Sequence, residues 1–113
     1  MAVTAVSRNT GVSAKKVKPV IDLVRGKRVA EALQVLEFLP GLAASRVAKV
    51  VKSASANAEN ELMARPADLK IVKIFANEGP RTKRFRPRAR GRANKVLRRN
   101  SHITVVVDQQ EGQ

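Results

Sequence analysis

Between Thr82 and Ala93 the chain reads Thr82-Lys83-Arg84-Phe85-Arg86-Pro87-Arg88-Ala89-Arg90-Gly91-Arg92-Ala93, with an arginine at every even position from 84 to 92. On an extended backbone alternate side chains point the same way about 6.6 Å apart, so this spacing predicts a row of guanidinium groups along one side. A guanidinium is planar and permanently charged; its fork of N–H donors fits phosphate oxygens in pairs, and its face stacks on flat rings. The chemistry these residues offer is recognition of a phosphate backbone rather than bond making. Pro87 opposes a helix here and favours extension. Phe85 has two readings, a platform for a nucleic-acid base or a packing contact at the arm's own base.

The surrounding charge strengthens this reading. Residues 80–99 hold 10 Lys and Arg and no acid, out of a net excess of 14 positive charges over 113 residues. Lys83, Arg98 and Arg99 carry the charge along both sides of the arm, and smaller clusters lie elsewhere: Arg8, Lys15, Lys16 and Lys18 near the start, then Arg25, Lys27 and Arg28. These form a second candidate set of polyanion contacts. An excess of this size repels itself in a compact body and calls for a polyanion that neutralises it.

Other chemistries lack their residues. With no Cys, one His and two Met, no zinc or iron–sulfur ligand set can be assembled, so neither a metal nor a cofactor is expected. His102 has no Ser, Cys or Asp arrangement beside it in sequence. Glu59, Glu61 and Glu78 do not form an acid/base pair and are expected to pair with local Lys or Arg. The phosphate loop, dinucleotide fingerprint and nucleophile elbow are all missing. The chain is not expected to be an enzyme. It has no run of about 18 apolar residues, and its first twenty residues scatter Arg8, Lys15, Lys16 and Lys18 among polar positions rather than around an apolar segment; a soluble, intracellular protein without a membrane partner is expected.

The elements that must position the arm follow from periodicity. Ala2–Val6 is short, β-branched and loosely alternating, which predicts a strand ending before Asn9-Thr10-Gly11. Val17, Val20, Ile21 and Val24 recur at helical spacing, with Ser13 offering an N-cap oxygen and Arg25-Gly26 a stop; Pro19 should kink this helix or delay its start. Val29, Leu33 and Leu36 mark a second helix that Pro40-Gly41 ends. From Ala43 to about Leu62 a longer helix carries Val47, Val50, Val51, Ala54, Ala58 and Leu62 on one stripe, with Arg46, Lys49 and Lys52 off it. Leu69–Ala76 reads as a strand closed by a turn or bulge at Asn77-Glu78-Gly79-Pro80, and Ser101–Val107 as an alternating partner strand. The expected fold is α+β, three helices packed on a small three-stranded antiparallel sheet with a long protruding basic β-hairpin, as a single domain of body 1–79 and 100–113 and hairpin 80–99.

About twenty residues between two strands far exceed an ordinary hairpin loop, and connections of this length are functional or disordered. If the chain reverses near Arg88 to Gly91, the strands continue as a ribbon reaching about 25–30 Å beyond the body. With no acid along it, such a ribbon should order only against phosphate. A nucleoid protein laying a ribbon arm in the DNA minor groove, with Pro87 as a wedge, would share these features but should be a two-armed dimer.

Taken in order, several segments resemble one family. They are Ser13-Ala14-Lys15-Lys16-Val17, Asp22-Leu23-Val24-Arg25-Gly26-Lys27, Ala56-Asn57-Ala58-Glu59, Leu69-Lys70-Ile71-Val72-Lys73-Ile74-Phe75, Glu78-Gly79-Pro80, Pro87-Arg88-Ala89-Arg90-Gly91-Arg92-Ala93 and Ser101-His102-Ile103-Thr104-Val105-Val106-Val107. Together they resemble the bacterial large-subunit ribosomal protein family L twenty-two over nearly the whole chain. The resemblance implies a structural protein, cytoplasmic and ribosome-bound, that binds large-subunit ribosomal RNA and aids assembly. It also implies that the hairpin tip, Arg88, Ala89, Arg90, Gly91 and Arg92, lines the exit tunnel, with neighbouring large-subunit proteins and the nascent polypeptide as further partners and no homo-oligomer. By the same resemblance the hairpin from Arg84 to Ala93 reaches the tunnel wall, with Arg84 and Arg86 among its RNA contacts, and Lys83, Arg98 and Arg99 line the hairpin's path. Pro19 and Asn100 depart from the family's usual aliphatic and Thr.

Overall fold

Ser101, Ile103, Val105 and Val107 are all buried while the residues between them are half exposed, and this strand, β5 (Ser101–Gln109), is the centre of the main sheet. The computed structural model describes residues 2–8, 10–79, 82–87, 93–98 and 100–109, and of residues 66, 82–87 and 93–98 the backbone. Antiparallel partners flank β5: β1 (Ala2–Ser7) pairs Val3 with Val107 and Ala5 with Val105, and β2 (Leu69–Glu78) pairs Ile74 with Val105 and Ala76 with Ile103. Strand order is β1-β5-β2. Period-two alternation thus delivers Val3, Ala5, Leu69, Ile71, Ile74, Ile103, Val105 and Val107 to one face.

Three helices cover that face: α1 (Ala14–Val24), α2 (Val29–Phe38) and α3 (Leu42–Leu62). Val17, Ile21 and Val24 bury the α1 stripe, Val29, Ala32 and Leu36 that of α2. On α3 the expected stripe holds, with Val47, Val51, Ala54 and Ala58 fully buried and Leu62 packed at its margin. With Ala at 44, 54 and 58 on its buried side, α3 lies close against β1 and β5, which is how a core with three aromatic residues in the whole chain is filled.

Some expectations are corrected. α1 starts at Ala14 despite Pro19; the proline is on the solvent side with Lys15, whose carbonyl loses its helical donor where water can replace it. Ser13 occupies the N-cap position and its carbonyl accepts the first helical bonds, from Lys16 and Val17 N–H at 3.1 and 3.2 Å, but its hydroxyl makes no capping bond. Gly26, at φ +78°, takes the left-handed turn after α1 that the sequence suggests. β2 runs on through Asn77 and Glu78, paired with His102 and Ser101; its irregularity lies earlier, between Ile71 and Lys73, where Val72 bulges outward. Glu59 and Glu61 form no ion pair among the described residues. The helix ends at Leu62, and Arg65 turns instead to Asp68 at 3.9 Å.

Candidate nucleic-acid interface

The arm grows out of the β2–β5 ladder. Glu78 pairs with Ser101, and Gly79 N–H then donates to the Asn100 carbonyl at 2.8 Å. A Cβ at Gly79 would lie 3.3 Å from Asn100 backbone, Ser101 N and the His102 ring, a tight approach that glycine avoids. Beyond it β3 (Thr82–Pro87) and β4 (Ala93–Arg98) form a separate two-stranded antiparallel ribbon, with Thr82 opposite Arg98, Arg84 opposite Val96 and Arg86 opposite Asn94. The expected ribbon is therefore present in the backbone. The molecule measures 68 × 25 × 17 Å, and its radius of gyration of 17.2 Å exceeds the roughly 13 Å of a compact chain of this length. The reversal and tip, Arg88, Ala89, Arg90, Gly91 and Arg92, and Arg99 at the root lie outside the described residues.

A polar lock fixes the root to the body. Asn100 Oδ1 accepts the N–H of Gly11 at 2.7 Å and that of Ser101 at 3.0 Å. Ser101, fully buried, donates its hydroxyl to the Val12 carbonyl at 2.6 Å, so the 2.8 Å contact between the two hydroxyls is made by Thr10 donating to Ser101 Oγ. Thr10 N–H also donates to the Ser101 carbonyl at 3.1 Å. The loop between β1 and α1 thereby holds the strand that leaves the arm.

The body cations divide by what they touch. Arg8, Lys15, Lys16 and Lys18 are exposed, and among the described residues none has an ion pair. Arg25 also braces the fold from an exposed position: its guanidinium donates to Asp22 Oδ1 at 2.8 Å and to the Ile74 carbonyl at 3.3 Å, linking α1 to β2. Arg28 donates to the Ala67 carbonyl at 3.4 Å. Lys27 accepts Ile71 N–H on its carbonyl at 3.0 Å, and Arg28 bridges to Lys70, so the loop after α1 pairs with the edge of β2. Lys27, Arg28 and Lys70 thus meet in one region.

Lys70 and Lys73 were absent from the candidate set that the sequence supplies. Their partners in the cluster are some forty positions away, and only the pairing of this loop with β2 unites them. Lys73 Nζ sits 5.5 Å from the centre of the Phe75 ring on the sheet face that no helix covers. Among the described residues no group of three His, Asp or Glu could hold a metal ion, and no described helix is long and apolar enough to cross a membrane.

Comparison with known proteins points the same way. Residues 5–108 match the family described as Ribosomal protein L22p/L17e. The chain is 54% identical over 107 residues to the large ribosomal subunit protein uL22 of Dehalococcoides mccartyi strain BAV1, covering 95% of this chain and 98% of that one. It is 50% identical over 111 residues to uL22 of Herpetosiphon aurantiacus, covering 98% of each, and 52% identical over 109 residues to that of Pediococcus pentosaceus, covering 96% of this chain and 92% of the relative. A body of three helices on three strands, a ribbon set off from it, and this likeness along nearly its full length place the chain in the ribosomal protein L22p/L17e family.

Proposed function

We propose that this chain is held in the large ribosomal subunit by RNA, aids the subunit's assembly, and places hairpin 80–99 in the wall of the nascent-polypeptide exit tunnel. Family membership carries the coarser part, a structural, non-enzymatic protein of the large subunit at work on cytoplasmic ribosomes. The observation that carries the finer part is the separate β3–β4 ribbon in a segment with 10 cations and no acid. A ribbon of this composition neutralises phosphates and is ordered by them; the mechanism is counterion release with shape-matched insertion, and no covalent step is involved. In this reading Arg84, Arg86, Lys83, Arg98 and Arg99 follow RNA, Arg88 to Arg92 reach the tunnel, and Arg8, Lys15, Lys16, Lys18, Arg25, Lys27 and Arg28 add phosphate contacts from the body. The chain works as one domain and one copy per particle, beside neighbouring large-subunit proteins and the nascent chain.

The test is binding of the full chain to folded large-subunit RNA across a salt series. If about 6–10 phosphates are contacted, affinity falls about 10³–10⁵-fold between 50 and 200 mM salt. A nearly flat salt dependence overturns the mechanism.

A further inference from the structure

Away from the arm, α2 and α3 leave an open groove of about 610 Å³ between them. Its α2 side and the following turn supply Leu33, Leu36 and Leu39, and α3 supplies Arg46, Lys49 and Lys52. The three cations recur every third residue along one flank of α3. Among the described residues none of them has an ion pair, and Arg46 Nε is buried without an acceptor. One acid, Glu37, lines the groove. Beside it in the chain, on either side of the Pro40-Gly41 turn, Phe38 and Leu42 are 85% and 54% exposed, though neither lines the groove.

We propose that this groove seats a segment of a protein partner that presents aliphatic side chains flanked by carboxylates. The two halves of the groove ask for different things of one ligand. Arg46, Lys49 and Lys52 call for anionic oxygens, which RNA and an acidic peptide both offer. The leucine floor gains nothing from a phosphodiester backbone, whereas apolar side chains entering from a partner remove it from water. The volume lies in the range of sites that take a few side chains, and a ridge of aliphatic residues along a helix or strand is the usual occupant of such a groove. The flank of α3 supplies register, because each carboxylate must meet a cation one turn from the next.

The inference goes beyond the RNA-binding reading and is tested in living cells with the full chain. Gln34, an exposed lining residue, is replaced by a photo-crosslinking amino acid, and crosslinked products are identified by mass spectrometry and by RNA sequencing. The expected product is a mapped peptide with Asp or Glu within one helical turn of Leu, Ile, Val or Met. Exposed Lys49 can be changed without touching the core, and Lys49→Glu should cut the yield about fivefold, the size of a partly exposed ion pair. Changing the partner's carboxylate to Lys should restore it. Crosslinks confined to RNA, no mapped peptide, or a yield indifferent to Lys49→Glu overturns the proposal. A peptide from outside the large subunit would sustain the groove and leave the RNA-binding reading untouched, since the salt series on the full chain tests that reading by itself, so the two failures are distinct.

Discussion

Asn100 accepts the backbone N–H of Gly11 through its side-chain oxygen at 2.7 Å, tying the strand that leaves the arm to the loop between β1 and α1. The same oxygen takes Ser101 N–H, and Ser101 in turn bonds Val12 and Thr10 from a fully buried site. Asn100→Ala should lower stability by about 1–2 kcal/mol, and Ser101→Ala by about 1–3 kcal/mol because it strands buried polar groups. Denaturant midpoints measure both. Equal stability of Ser101→Ala and the parent would mean the lock contributes nothing.

Met63 adopts φ +53° at the C-terminus of α3 and is 86% exposed, a left-handed conformation held without burial in return. Met63→Gly should stabilise the protein by about 0.5–1 kcal/mol, since the relief of the left-handed penalty exceeds the added freedom of glycine when unfolded. Chemical denaturation checks the sign.

Removing 83–92 should leave the helices intact, because the core is assembled from β1, α1–α3, β2 and β5 and residues just beside them. Far-UV circular dichroism should keep its helical signal, while affinity for large-subunit RNA falls. Loss of the helices on deletion would contradict a body that stands without its arm.

The two kinds of body cation should separate by assay. Lys15→Ala with Lys16→Ala should weaken RNA binding and reduce its salt slope by up to about 2, one for each phosphate no longer neutralised, with stability unchanged. Arg25→Ala should instead cost up to about 1 kcal/mol of stability, discounted for the half-exposed ion pair, because Arg25 ties α1 to Asp22 and Ile74. Thermal melts and a salt series on the same variants measure both.

Most of the fold was legible because hydrophobic spacing alone determines which residues face inward. Ile103, Val105 and Val107 alternate, while Val47, Val51, Ala54 and Ala58 follow a helical stripe, and all are buried. What periodicity misses is nonlocal or purely polar. The Thr10–Ser101 hydroxyl contact spans 91 positions, and the Arg28–Lys70 bridge joins a loop to an edge strand. The bulge at Val72 leaves no Gly or Pro to announce it, and the Gly79-Pro80 signal drew the expected end of β2 two residues too early. For the candidate site, the charge run and its alternation were readable, and so was the ribbon. That Arg25, exposed like Lys15 and Lys16, also holds a carboxylate and a carbonyl of the fold was not, since composition does not show which cations the fold engages.

The most direct test of the central claim is to crosslink the full chain to nucleic acid in living cells and sequence what is attached. RNA-held insertion into the large subunit predicts enrichment at several separated segments of large-subunit ribosomal RNA, with the signal at some of them lost when 83–92 is deleted. Signal spread over genomic DNA, or ribosomal RNA contacts that do not change on deletion, would contradict it.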